Sequence, residues 1–484
     1  VPLDSRQNPS AAARPAAIPI AMEIMKTSPL LASVVPANPT VPVIIVGGGL
    51  AGCECALVLA SLGIASTLVE MKPHRLSPAH HDTRLAELVC SNSLRADTPD
   101  MAVGLLKEEL RALGSPLMAA ADATRVPAGK ALAVDRALFS DHITSRIEAE
   151  PLITLVRQEI SSLEDPLLAD ALLAGGRVIL ATGPLTAETL SADLARTTGA
   201  EHLFFYDAIA PIVAMDSVNM DVAWWASRYN PEEKDYCNCP LDEAQYHAFL
   251  EALQGARVVP CREFEEEKHF EGCLPIETMA ARGPLTLAHG PMKPVGLPDP
   301  RTGKEPFAVV QLRPETLDKS SCNLVGFQTK LAYPEQERVF RMIPGLEQAE
   351  FLRLGSMHRN TFVNAPAVLG PDFSLLARPG VHLAGQISGV EGYVESMGHG
   401  HLTALAVAAA LAGKSLPAAP PECMLGALAV HLATPAKSFQ PSNVHFGLTP
   451  ALGRKAPKAR RKLLYAERSR TAFARWKETL MQTE

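Results

Sequence analysis

Six consecutive residues, Gly47-Gly48-Gly49-Leu50-Ala51-Gly52, have the types and spacing to hold a dinucleotide. They follow the apolar run Val43–Val46 and open an amphipathic stretch that ends at Leu62-Gly63. In such a motif the first glycine makes a tight turn. The second lets backbone approach a pyrophosphate, and the third lets helix pack on strand. The helix N-terminus adds free N–H groups and the positive end of its dipole. Glu70 lies eighteen residues beyond Gly52, at the end of a second apolar run, where an acid accepts ribose hydroxyls. A second cluster, Gly385, Gln386, Gly389 and Gly392, follows the short apolar run Val381–Ala384 and precedes a long Ala-rich segment. It fits a returning strand whose loop and helix N-terminus face a flavin ring. Cys90 leaves the apolar run Leu85–Val89 and enters Ser91-Asn92-Ser93. Such a thiol is either a small buried hydrophobe or a site residue. Cys53/Cys55 and Cys237/Cys239 form CxC pairs without the spacing or histidine companions of a zinc site, so no metal is expected. His74, His80 and His81 fall in a polar stretch that reads as a solvated loop.

These residues need a parallel α/β framework to position them. The 484-residue chain is long enough for two or three domains. The expected fold class is α/β, a Rossmann-like FAD-binding domain of the two-dinucleotide-binding flavoprotein type with an inserted mixed α/β substrate domain. Residues 1–40, rich in Pro and Ala without periodicity, read as a disordered extension. Residues 41–183 read as the first part of the FAD-binding domain, ending in the strand and glycine turn Val178–Gly183. Short strands between Gly/Pro turns mark 184–355 as the insertion, and 356–450 as the return segment. Residues 451–484 read as a basic tail: from Arg454 onward it carries ten Lys/Arg against three Glu. A solvated helix face and a polyanion-binding tail are both open for it. A net charge of −7 confines any nucleic-acid contact to such a local patch. No apolar run is long enough to span a membrane. Nine scattered cysteines suit reduced thiols, hence a cytoplasmic location.

Several stretches together resemble the folate- and FAD-dependent tRNA (uracil-5-)-methyltransferases: GGGLAGCE, AELVCSNSLRA, PAGKALAVDR, ATGPLT, FFYDAIAPIV, YCNCP, AVVQLR, MHRNTFVNAP and AGQISGVEGYVES, in order from about residue 42 to about 450. Related GidA-type flavoproteins, which act on the tRNA wobble uridine, share GQ-x-x-G-x-x-GY. The resemblance implies 5-methyluridine formation at T-loop position 54, with FAD as methylene carrier and NAD(P)H and 5,10-methylenetetrahydrofolate as co-substrates. It implies Cys239, in Asn238-Cys239-Pro240, as the nucleophile that adds to uracil C6, and Cys90 as its partner. It implies FAD contacts from Gly47, Gly48, Gly49, Leu50, Ala51, Gly52, Glu70, Asn92, Gly385, Gln386, Gly389 and Gly392, and folate contacts from His358 and Arg359. Cys237, beside Cys239, departs from the family pattern, as do His399 and His401 in MGHGHLTA. The alternatives are a GidA-like enzyme for another tRNA uridine, an NAD(P)H-dependent flavin oxidoreductase acting on a small molecule, and a noncatalytic flavin-dependent tRNA-binding protein.

Overall fold

The computed structural model describes residues 41–199, 203–230, 232–259, 274–453 and 457–482. The extension expected over 1–40, with Cys261 and Cys273, lies outside them.

Val43–Val46 is buried at every position, because helices cover both faces of its sheet. That sheet has six strands in the order Ser374–Leu375, Arg378–Leu383, Arg177–Leu180, Val43–Val46, Ser66–Glu70, Ile153–Arg157. All neighbours run parallel except the first pair. The helix Leu50–Ser61 is buried from Leu50 to Ala60. It is enclosed because the long helix Tyr393–Leu411 crosses it at small residues. A Cβ on Gly400 would stand 2.7 Å from the Ala51 carbonyl oxygen, and Cys55 Sγ donates to the Gly400 carbonyl at 3.1 Å.

His401 lies in this helix crossing, where its Nδ1 meets Glu54 Oε1 at 2.8 Å, and Leu117 N–H donates to Oε2 at 3.2 Å. Both side chains are sealed from solvent. Removing one partner of a buried pair leaves the other polar group without compensation, at a cost of about 3 kcal/mol. His401→Ala should therefore lower the unfolding free energy by that amount in a denaturant titration, and an unchanged midpoint would show the pair to be idle.

The second sheet is antiparallel throughout, in the order Trp224–Trp225, Cys237–Leu241, Ala308–Pro314, Ser321–Leu324, Ile212–Ala214, Phe351–Arg353. Alternation along its strands separates two faces. Cys237, Cys239, Leu241, Val310, Leu312 and Leu324 join a core with Phe249, Phe327 and Phe340. On the other face polar residues are linked: Gln311 donates to Asn238 Oδ1 at 3.0 Å, and Arg313 to Asn323 Oδ1 at 3.2 Å. An antiparallel ribbon, Leu203–Ala208 with Met357–Phe362, carries the chain out to this sheet and back, with Asp207 opposite His358.

The segment expected as a basic tail contains a 25-residue helix, Lys458–Gln482. Ala466, Phe473, Trp476 and Leu480 share one face and enter the core of the first domain. Trp476 Nε1 donates to the Pro417 carbonyl at 2.9 Å. No helix among the described residues is long and apolar enough to cross a membrane.

Candidate active site

The glycine turn lines a cavity in the first domain. Gly47 has φ +106°, and a Cβ there would lie 2.5 Å from the Ala181 carbonyl oxygen. On Gly52 a Cβ would come within 1.9 Å of the Gly47 carbonyl oxygen. Gly49 differs, since a Cβ there would meet nothing within 4 Å. It leaves open space beside the N-terminus of Leu50–Ser61, which has no side-chain cap. Leu50 and Ala51 continue the wall. Glu70 closes the turn, with Oε2 accepting from Gly48 N–H at 2.6 Å and Oε1 from Lys72 N–H at 2.9 Å. Thr182–Ala187 and Gln158–Ile160 complete the slot.

A second cavity, of about 420 Å³, adjoins the first, with Val89, Pro184, Leu185, Gln386 and Tyr393 lining both. Cys90 opens onto it, half-buried. Its loop is held from both domains. Cys90 and Ser91 N–H donate to Tyr393 Oη at 2.8 and 3.2 Å. Arg136 bonds the Leu88 carbonyl, and Arg353 donates to the Val89 carbonyl at 3.1 Å. Arg313, from the polar face of the second sheet, donates to Ser91 Oγ at 2.7 Å and Asn92 Oδ1 at 2.9 Å. Arg136 is neutralised by Glu315, Nε to Oε2 at 2.5 Å. Burial pushes Arg353 down to about 10. The loop is thus rigid although it carries no regular structure.

His358 faces the second cavity, its Nε2 2.8 Å from Ser356 Oγ, and burial pushes its imidazole down to about 4. It is a neutral ring at physiological pH. Gln386 sits where the two cavities meet. Gly392, φ +106°, starts the helix Tyr393–Leu411 at the edge of the second cavity. Gly385, φ +77°, and Gly389, φ +101°, serve packing instead. A Cβ would lie 2.7 Å from Ala51 Cβ at the first and 2.4 Å from the Phe439 ring at the second.

Three expected residues stand elsewhere. Asn92 is fully buried between Arg313 and the carbonyls of Val134 and Pro314, so it clamps the domains together and does not line the cofactor slot. Arg359, next to His358 in an extended strand, points to the opposite face, with its guanidinium 4.1 Å from the Phe204 ring centre. Cys239 lies in the apolar core, because alternation turns it away from the polar face that Asn238 shares. Hydrogen bonding with Cys237, and then burial, push its thiol well above the usual range. The fold does not bring Cys239 to the cavity that Cys90 lines. His399 is also core, accepting from Gly385 N–H at 3.0 Å. Among the described residues no group of three or more His, Cys, Asp or Glu is placed to hold a metal ion.

A family model described as glucose inhibited division protein A matches residues 42–415. Methylenetetrahydrofolate–tRNA-(uracil-5-)-methyltransferase TrmFO of Oleidesulfovibrio alaskensis is 61% identical over 432 residues, which cover 89% of this chain and 96% of that protein. The chain belongs to the TrmFO family. The TrmFO of Geobacter sulfurreducens is 56% identical over 440 residues, 90% of this chain and 99% of its own. Among solved structures, Aquifex aeolicus GidA in its form II crystal superposes with a TM-score of 0.65 at 16% identity, covering 92% of this chain and 74% of that one. That likeness establishes the α/β flavoprotein fold.

In this TrmFO-family chain several cavity residues were not singled out by sequence reasoning: Asp207, Arg313, Asn360, Glu391 and Tyr393. All but Asn360 lie inside FFYDAIAPIV, AVVQLR or GQISGVEGY, and Asn360 inside MHRNTF. The motifs marked the region. Which members face the cavity depends on strand phase and loop path.

Proposed function

We propose that this chain is a methylenetetrahydrofolate–tRNA-(uracil-5-)-methyltransferase that forms 5-methyluridine at position 54 of the tRNA T-loop. The observation carrying this reading is the junction itself: a rigidly held thiol, Cys90, opens where a dinucleotide slot meets a second cavity with room for a base. The TrmFO relatives supply the substrate class. The residues present fit FAD. Gly49 leaves room for a pyrophosphate beside an uncapped helix N-terminus, and Glu70 retains acceptor capacity for ribose hydroxyls. When bound, FAD supplies the carbon-carrying and hydride-donating chemistry, with NAD(P)H as reductant and 5,10-methylenetetrahydrofolate as carbon source.

The chain's own residues do the rest. A uracil C5 is a poor carbon nucleophile until a thiolate adds at C6. Among the described residues, Cys90 is the thiol on the cavity. Cys239, the nucleophile implied by resemblance, would have to leave the second-sheet core to reach it. His358, neutral and buried at the cavity wall, offers a flat face for a folate ring. The T-loop uridine has to be turned out of its stack to enter. The cytoplasm is the matching location for such a tRNA enzyme.

Purified, FAD-loaded protein incubated with a T-loop transcript, labelled methylenetetrahydrofolate and NADPH should place label on uridine 54. No label in an active flavin preparation rejects the assignment. RNA binding without transfer would favour a noncatalytic tRNA-binding role.

The exposed Arg460, Arg461 and Arg475 of the C-terminal helix are candidates for tRNA phosphates. Truncating this helix would open the core that Phe473 and Trp476 fill, so charge reversal is the cleaner test. Changing all three to Glu should weaken tRNA binding and reduce the slope of log affinity against log salt by about one for each phosphate no longer neutralised. An unchanged slope removes the helix from the RNA surface.

A further inference from the structure

Glu391 is fixed in place by its backbone, and one of its two carboxyl oxygens is held by a neighbouring side chain. Its N–H donates to the Ser442 carbonyl at 3.0 Å, and its carbonyl accepts from Asn443 Nδ2 at 2.6 Å. Gly389 and Gly392 on either side have positive φ, so the loop turns sharply around it. The side chain is 6% exposed and lines the second cavity with Cys90 and His358. Oε2 accepts from Gln386 Nε2 at 2.8 Å. No described residue hydrogen-bonds Oε1.

Among the described residues no cation is hydrogen-bonded to this carboxyl. The charged groups around it are Asp207 on the ribbon and Glu395 on the long helix, both acids, and Arg95, which is engaged with Glu395. The other titratable groups on the same cavity are Cys90, His358 and Tyr393, with Arg313 at its wall. Burial, with the nearby Asp207 carboxylate, raises the Glu391 carboxyl to about 8. At neutral pH it is a carboxylic acid, and its free position can donate.

Resting on the methyltransferase reading above, we propose that Glu391 is a catalytic residue that donates a hydrogen bond to the uracil O4 as negative charge develops there. When a cysteine thiolate adds, the S–C6 bond forms and the C5–C6 π bond breaks. The displaced pair is delocalised over C5, C4 and O4 as an enolate. Glu391 keeps its proton and hydrogen-bonds that oxygen, as a neutral acid in an apolar site does for an enolate. C5 of the enolate takes a proton from water, loss of the original C5 hydrogen to water returns the enolate, and its collapse re-forms the C5–C6 π bond, breaks the S–C6 bond and expels the thiolate.

The step can be isolated from carbon transfer. Reversible addition at C6 lets C5 exchange its hydrogen with water, so tritium release from a T-loop transcript carrying 5-tritiated uridine reports it. Full-length, FAD-loaded protein should release tritium with a rate that falls as pH rises through about 8, where Glu391 loses its proton. Glu391→Ala should lose roughly 10²–10³-fold, the effect of deleting one oxyanion donor. Glu391→Gln, whose amide donates at every pH, should restore much of the rate and abolish the alkaline decline. Flavin content and melting temperature of both variants should match the parent. Wild-type release with an unaffected Glu391→Ala, or an alkaline limb that persists in Glu391→Gln, overturns the proposal. Absence of both release and methyl transfer in the wild type instead rejects the methyltransferase reading beneath it.

Discussion

Cys90→Ala should abolish methyl transfer while leaving a folded, yellow protein. The thiol's hydrogen bond is a weak one, 3.9 Å from the Ala208 carbonyl oxygen. Its loop is held by Tyr393, Arg136, Arg313 and Arg353 through backbone groups, Ser91 and Asn92, none of which the substitution removes. Stability should change by less than about 1 kcal/mol, and product formation should fall below detection in an assay of labelled tRNA. Colourless or unfolded protein would show Cys90 to be a packing residue. Cys239→Ala is the informative companion. A fully buried side chain in a tight core should lose about 1 kcal/mol on truncation. If methylation survives that loss, Cys90 is left as the nucleophile. If methylation disappears while flavin content and folding persist, Cys239 takes the role, and the strand Cys237–Leu241 must leave its sheet in the tRNA complex.

Gly52→Val should eliminate FAD binding and destabilise the first domain. The obstruction is backbone: the Gly47 carbonyl oxygen stands 1.9 Å from where the Cβ would be, with Ala181 Cβ at 3.3 Å. No flexible side chain is available to swing aside. Pushing the helix away would also part Gly48 from Glu70 and shift the uncapped N-terminus that borders the slot. We expect a loss of more than about 3 kcal/mol, read as a lower melting temperature together with the absence of flavin absorbance. Gly49→Ala is the control. Its Cβ projects into open space, so the apoprotein should fold normally and only flavin affinity should fall. Normal flavin loading in Gly52→Val would disprove the close helix–strand packing.

Much of the first domain was legible because its signals are local. An apolar run buried on both faces, a glycine turn and an acid at the next strand end are each read within a few residues, and all of them meet at Glu70 and Gly48. The basic C-terminal segment was less legible. Its charge is local and visible, but the docking of Phe473 and Trp476 depends on an apolar surface built from distant helices. His401 belongs to the same class, since its partner Glu54 is 347 positions away in the chain.

The chemistry divides the same way. By itself the sequence determined the dinucleotide slot, the family and the stretches that would supply the site, because residue type and short-range spacing carry that information. Only the tertiary structure decided which residues of those stretches face the reaction. A strand turns alternate side chains to opposite faces, so His358 faces the cavity while Arg359 turns away, and in the second sheet Asn238 joins the polar face while Cys239 enters the core. The second sheet then meets the first domain through Arg313, which takes Asn92 for itself and leaves Cys90 on the cavity. The acid that completes that cavity, Glu391, depends on the same assembly: its high affinity for a proton comes from burial beside Asp207, which a different part of the chain delivers.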